Sequence, residues 1–247
     1  MADEIIYGVN PVREALRGTR RAFELFVAQG TTDQRLEKVI RLAEEQGLPV
    51  RRRLRQDLTR LCGNEHHQGV ALRSEAFVYA DLEDVLESWR QSGEAGLLVL
   101  LDSIQDPHNL GALIRTAACA GAHGVIIPKD RAVGVTASVE KVAAGATATV
   151  PVVQVANIAM LIEQLKQEGF WIFGAAAEAG PTLYSVDLTG HVALVVGGEG
   201  EGLRPLVRKH CDGLFTIPLK GGVDSLNASV AGGIALFEVV RQRLAGR

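Results

Sequence analysis

Beyond residue 96, short runs of continuously apolar residues alternate with stretches whose apolar positions recur every three or four residues. The runs Leu97–Leu101, Gly124–Ile127, Thr149–Val153, Trp171–Ala175, Val192–Val196 and Leu214–Ile217 predict strands. The stretches Leu110–Ala120, Ser138–Ala144, Ile158–Glu168, Pro205–Cys211 and Ala228–Leu244 predict helices. Strands that are apolar on both faces and separated by helices belong in a largely parallel sheet covered on both sides. The earlier part of the chain has a different texture. Glu24–Gln29 alternates like a strand, and Asp33–Gln46 carries Leu36, Val39, Ile40 and Ala43 at helical spacing behind a Thr32/Asp33 cap signal. Pro49–Leu54 and Val70–Arg73 predict further strands. Residues 1–75 therefore form a small α/β domain, and 97–247 a larger one. Residues 76–96 are expected as a linker with a short helix over Asp81–Arg90 and a polar Gln91–Glu94 stretch.

Charge refines this division. The 247 residues carry 26 Lys and Arg against 29 Asp and Glu, a formal charge of −3. Residues 1–75 hold 13 of those cations and 11 of the anions, which leaves 13 against 18 for the remainder. Arg51, Arg52, Arg53 and Arg55 crowd one stretch of the basic part, where they suit either phosphate contact and base stacking or a strand edge defended by charge. Overall acidity excludes indiscriminate coating of nucleic acid, so any RNA contact is expected to be local. No apolar run reaches the roughly 20 residues of a membrane helix, and the acidic N-terminus lacks a secretory pattern. Cys62, Cys119 and Cys211 are odd in number and far apart, which fits reduced thiols in a cytoplasm.

In parallel sheets ligands bind beyond the carboxyl ends of the strands. After the first large-domain strand comes Asp106-Pro107-His108-Asn109, opening a helix that continues through Gly111 to Arg115. Asn109 sits near unsatisfied backbone N–H groups, a place for an anionic ligand, while the alternative is a capped amphipathic helix with a solvated Arg. After Val192–Val196 comes Gly197-Gly-Glu199-Gly-Glu201-Gly202, whose glycines leave room for a ligand and whose two carboxylates mark a site. It matches neither a dinucleotide fingerprint nor a Walker loop. After Leu214–Ile217 the segment through Ser225, Asn227 and Ser229 opens the last helix, and capping is expected to account for one of the three. Cys62, His66 and His67 lack a fourth ligand for zinc and are expected as a surface histidine pair. No hydrolase elbow or cysteine nucleophile signature is present.

These three strand-end segments, in order, resemble the three motifs of the SpoU, or TrmH, class of RNA ribose 2′-O-methyltransferases over residues 97–247. Ile6-Tyr7-Gly8-Val9-Asn10-Pro11-Val12 and His67-Gln68-Gly69-Val70 are similar to the N-terminal part of one subgroup, which methylates a guanosine in the peptidyl-transferase P loop of 23S ribosomal RNA. The resemblance implies an α/β-knot catalytic domain with a deep trefoil knot, S-adenosylmethionine as cofactor, and a cytoplasmic homodimer whose active site draws on both subunits. It implies that residues 1–75 are a ribosomal-protein-like RNA-binding domain, and that the partner is 23S RNA or a precursor of the large ribosomal subunit. By motif position, backbone groups of Gly197, Ile217 and Leu226 hold the cofactor with Gly174 nearby. Asn109, Arg115, Glu199, Ser225, Asn227 and Ser229 surround the reacting ribose. Displacement from a sulfonium needs no metal, because the leaving group becomes neutral. Two other readings compete: a related methyltransferase acting on tRNA or another ribosomal nucleotide, and a non-catalytic RNA-binding assembly factor. The intact polar set disfavours the second.

Overall fold

The computed structural model describes residues 3–30, 33–176, 180–220, 222 and 224–246. The chain divides into two compact units. One contains the residues up to Val78 together with Thr136–Lys141, and the other contains Tyr79–Val135 and Val142 onward.

The first unit is built on a four-stranded sheet of β1 (Asp3–Tyr7), β2 (Ala22–Ala28), β3 (Val50–Arg53) and β4 (Val70–Glu75) in the order β1-β4-β2-β3. β4 runs antiparallel to both of its neighbours, and β2 and β3 are parallel. Helices α1 (Val9–Arg17) and α2 (Gln34–Glu45) supply Val12, Leu16, Leu36 and Val39 to a core with Leu25, Val27, Val70 and Leu72. Asp33 begins α2 as expected, its side chain accepting from Arg35 N at 2.8 Å; Thr32 lies outside the described residues. α3 (Arg55–Cys62) buries Leu58 on the opposite face against Phe26, Ala28 and Ala71. β1, α1 and α3 are short elements that hydrophobic periodicity did not foretell. Thr136–Lys141 joins this unit through ion pairs of Glu140 with Arg20 (2.7 Å) and Lys141 with Glu14 (2.6 Å), although residues 79–135 separate it from Val78.

In the second unit α4 (Leu82–Ser92) is followed by β5 (Leu97–Asp102), α5 (Pro107–Cys119), β6 (Gly124–Pro128) and β7 (Val152–Val155); α6 (Ala137–Ala143), between β6 and β7, belongs to the first unit as far as Lys141. α7 (Ile158–Gln167), β8 (Trp171–Ala175), β9 (Val192–Gly197), α8 (Pro205–His210), β10 (Gly213–Phe215) and α9 (Ala228–Ala245) complete it. The six strands are all parallel, in the order β10-β8-β9-β5-β6-β7. Leu98, Leu100, Ala193 and Val195 face a core closed by α4, α7 and α8, and α5 and α9 cover the other face. A Cβ on Gly232 would collide with Leu113 Cδ2, so that glycine lets α9 settle directly on α5.

The stretch expected as a linker is different in kind. Val85, Leu86 and Trp89 of α4 are buried in this core, with the Trp89 ring 4.6 Å from that of Phe170. Gly96 is required there, because a Cβ would lie 2.6 Å from Phe170 Cζ. β7 begins later than the apolar run because residues 146–148 form a 3-10 turn whose carbonyl oxygen at Ala146 accepts from Thr149 Oγ1 at 2.9 Å. β10 ends at Phe215, where the chain turns to bond Thr216 N to Pro181 O at 3.0 Å.

Candidate functional site

β5 and β9 lie side by side with Asp102 opposite Gly197, and the chain reverses its direction of travel across the sheet between them. Beyond the carboxyl ends of β8, β9 and β10 opens a cleft of about 790 Å³. Its walls include the glycine loop after β9, the segment Thr216–Leu219 after β10, Asp224–Ala228 leading into α9, and Ala175, Ala176 and Gly180 at and beyond the end of β8. Gly197, Glu199, Ile217, Ser225, Leu226 and Asn227 all line it, so six of the ten residues singled out from the sequence meet in one place.

The glycine loop owes its composition first to its own folding. A Cβ on Gly197 would run into the Gly202 carbonyl, and one on Gly198 into the Ser103 carbonyl. Gly202 N bonds back to Gly198 O at 3.2 Å, and Gly200 and Gly202 have φ values of 89° and 67°. The loop is a tight knuckle that turns backbone and the Glu199 side chain toward the cleft. Asn109, buried near the start of α5, donates its Nδ2 hydrogen to Glu199 Oε1. That bond joins the first motif to the second across ninety residues of sequence. α5 itself begins as expected, Asp106 accepting from His108 N at 2.9 Å ahead of Pro107.

At the third motif a single capping arrangement explains two of the three polar residues rather than one. Asn227 Oδ1 accepts from Ser229 N (2.9 Å), Val230 N (3.4 Å) and Ser229 Oγ (2.6 Å). Asn227 is thereby the N-cap of α9 and Ser229 its brace, which leaves Ser225 as the exposed hydroxyl at the cleft mouth.

Three residues stand apart. Gly174 does not line the cleft; a Cβ there would lie 2.6 Å from Leu203 Cδ1 and 2.9 Å from Leu214 Cδ2, so its smallness serves packing behind the wall. Ser229 is half-buried on α9. Arg115 projects from the exposed face of α5 and does not line the cleft of its own chain.

The charged side chains that line the cleft among the described residues are Glu199 and Asp224, both acidic. An acidic wall with apolar neighbours and exposed backbone groups suits a cationic, partly aromatic ligand. Behind the wall, burial first and Asp212 second push the Cys211 thiol up to about 11, so it is protonated at neutral pH and no nucleophile. The sequence also passed over Asp102, fully buried at the end of β5, and its partner Arg204; a carboxylate closing an otherwise apolar strand was the available signal.

Comparison with known proteins decides the lineage. Residues 96–237 match the SpoU rRNA methylase family, and residues 5–80 match the RNA 2′-O ribose methyltransferase substrate-binding family. The chain belongs to the SpoU methylase family. This SpoU methylase is 46% identical to the 23S rRNA (guanosine-2′-O-)-methyltransferase RlmB of Xanthomonas campestris, over 97% of its own length and 96% of the relative's. It is 45% identical to RlmB of Escherichia coli K12, over 97% and 99%. Its fold resembles the SpoU methyltransferase AviRb from Streptomyces viridochromogenes in complex with the cofactor AdoMet, with a TM-score of 0.64 and 25% identity, covering 99% of this chain and 92% of that one.

In the substrate-binding part of the SpoU methylase, Arg51, Arg52 and Arg53 form an exposed edge strand. Arg51 and Arg53 pair with Phe26 and Ala28, whose side chains pack on the α3 face, while Arg52 pairs with Val27 on the other face. Arg51 Nε also holds Glu24 at 2.9 Å. His67 is fully buried, contrary to the expected surface pair, and only His66 is exposed. Its Nδ1 accepts from Gly69 N at 3.0 Å and its Nε2 lies 3.2 Å from Thr59 Oγ1. The ring is an internal brace for the turn that ends at β4. No helix among the described residues is long and apolar enough to cross a membrane.

Proposed function

We propose that this SpoU methylase transfers the methyl group of S-adenosylmethionine to the 2′-hydroxyl of a guanosine ribose in 23S ribosomal RNA, at the peptidyl-transferase P loop. The observation that carries the reading is the Glu199–Asn109 bond at the rim of an acidic cleft, which brings two motifs distant in sequence to one point. The cleft fits the cofactor by its donor set. Backbone groups of Gly197, Ile217 and Leu226 border it for hydrogen bonding, and Glu199 and Asp224 give it the charge that a sulfonium and an ammonium favour. When bound, S-adenosylmethionine supplies an electrophilic methyl on a positively charged sulfur.

The chain's own residues then have separable tasks. Glu199 holds the Asn109 amide, whose remaining capacity is turned to RNA. Ser225 stands at the mouth, where the ribose enters. Arg115 orients phosphate and stabilises the negative charge that develops on the attacking oxygen. Arg115 lies outside the cleft of its own chain, and α9 exposes Val230, Phe237 and Leu244 at spacings of seven residues. Both features support a homodimer in which Arg115 of one copy serves the cleft of the other. The trefoil knot belongs to the same reading: β9 lies between β5 and β8, and the segments after β9 and after β10 border one cleft. Residues 1–75, with their arginine edge strand, bind the RNA substrate, and the enzyme works in the cytoplasm where that RNA is made.

The decisive experiment incubates the full chain with methyl-labelled S-adenosylmethionine and a 23S rRNA transcript, then maps 2′-O-methyl positions. One labelled guanosine in the P loop is expected. Label on tRNA alone, or no label with a folded protein that binds RNA, overturns the assignment in favour of its two rivals.

A further inference from the structure

Every residue of β5 before its last is apolar and buried, yet the strand ends in Asp102, whose exposure is 0%. A buried carboxylate is destabilising unless its oxygens are well satisfied, and an apolar residue of similar size often serves stability as well. Here both oxygens are taken by one residue. Oδ2 accepts from Arg204 N at 2.8 Å and Oδ1 from Arg204 Nε at 2.6 Å. The backbone of Asp102 meanwhile pairs opposite Gly197, so one residue grips the glycine loop where it leaves β9 and where it reaches α8. Its neighbour Ser103, in the left-handed region at φ 67°, presses its carbonyl against Gly198. The same Asp102 is also the root of the segment that leads to Asn109.

We propose that the Asp102–Arg204 pair is a buried latch that positions Glu199 for its bond to Asn109 and sets the shape of the cofactor wall. The two loops are tied twice, below by Asp102–Arg204 and above by Asn109–Glu199. Loss of the lower tie frees the loop between Gly198 and Leu203 and carries Glu199 away from Asn109. Both members are positioning residues, since neither lines the cleft. The kinetic part of this inference rests on the methyl-transfer reading; the mechanical part does not.

Arg204→Ala, Arg204→Lys and Asp102→Asn in the full chain test it. For Arg204→Ala, kcat with a P-loop-containing 23S transcript falls at least tenfold and KM for S-adenosylmethionine rises at least fivefold, while KM for RNA stays within twofold. Arg204→Lys keeps charge without the fork and falls between. In a Glu199→Gln background the further loss from Arg204→Ala shrinks to under threefold, because both substitutions undo one arrangement. Hydrogen exchange of the Gly198–Gly202 amides is at least tenfold faster in Arg204→Ala without cofactor. If Asp102→Asn does not fold, the Arg204 variants carry the test. A folded Arg204→Ala protein with unchanged exchange overturns the latch. Faster exchange with unchanged kcat and KM, or losses additive with Glu199→Gln, overturns its role in positioning. If the wild type transfers no methyl while exchange still responds, the function assignment fails and the latch stands.

Discussion

The two sheets of this protein solve different problems. The six-stranded parallel sheet buries both faces, so its strands are featureless apolar runs and its chemistry is displaced to the loops beyond their ends. The four-stranded mixed sheet keeps an exposed edge, and its charged side chains stand on a strand itself. A ligand pocket made of loops needs internal ties to hold its shape, which Asn109–Glu199 and Asp102–Arg204 provide. The RNA contact proposed for that edge needs only arginines on a stiff strand.

The comparison breaks most visibly at Arg115. Arg115→Ala is expected to abolish methyl transfer while cofactor affinity stays within about tenfold, or roughly 1.4 kcal/mol. Calorimetry beside a methyl-transfer assay checks this; parallel losses of binding and turnover would place Arg115 in the cofactor wall. The boundary between the regions is sharpened at Trp89. It is buried against Phe170 and donates from Nε1 to Glu94 O at 3.2 Å, so Trp89→Ala should destabilise the protein by about 3–5 kcal/mol in urea unfolding. A true linker residue would change stability by about 0.5 kcal/mol or less.

For the mixed sheet, the paired variant Arg51→Ala/Arg53→Ala should weaken RNA binding and lower its salt slope by about 1–2, whereas Arg52→Ala alone leaves the slope nearer the wild type. Filter binding of a 23S fragment over a salt series reads both. Equal slopes for all three proteins would make the arginines a defended edge and nothing more. The smallest expected effect is on acidification. Burial holds His123 and His67 below the ordinary imidazole range, and in the neutral ring Nδ1 of His123 accepts from Leu97 N at 3.2 Å. The unfolded chain takes these protons first, near pH 6.5, so stability is full above that pH and declines below it. The slope is at most about 1.4 kcal/mol per pH unit for each ring. Urea midpoints at pH 7.5 and 5.5 should fall accordingly, and His123→Gln should flatten the decline; an unchanged slope would assign it to other groups.

Much of the large unit was legible before any fold was known. Helix and strand differ in local period, and residues within a few positions of one another carry that signal, so β5, β6, β8 and β9 and the helices between them stood out. The small unit was harder to read because α1, α3 and β1 are short and amphipathic patterns need length. At the site, the sequence by itself determined which loops hold the polar residues; those after β9 and β10 line one cleft, and the loop after β5 reaches its rim through Asn109. The sequence could not assign tasks within them. Gly174 proved to be packing, Ser229 a brace for Asn227, and His67 a buried strut. Asp102 and Arg204, 102 positions apart, became partners only because β9 inserts between β8 and the distant β5. Local periodicity is written in adjacent residues, whereas a hydrogen bond between distant side chains exists only after strand order has brought them within 3 Å, and that order is decided by the tertiary structure.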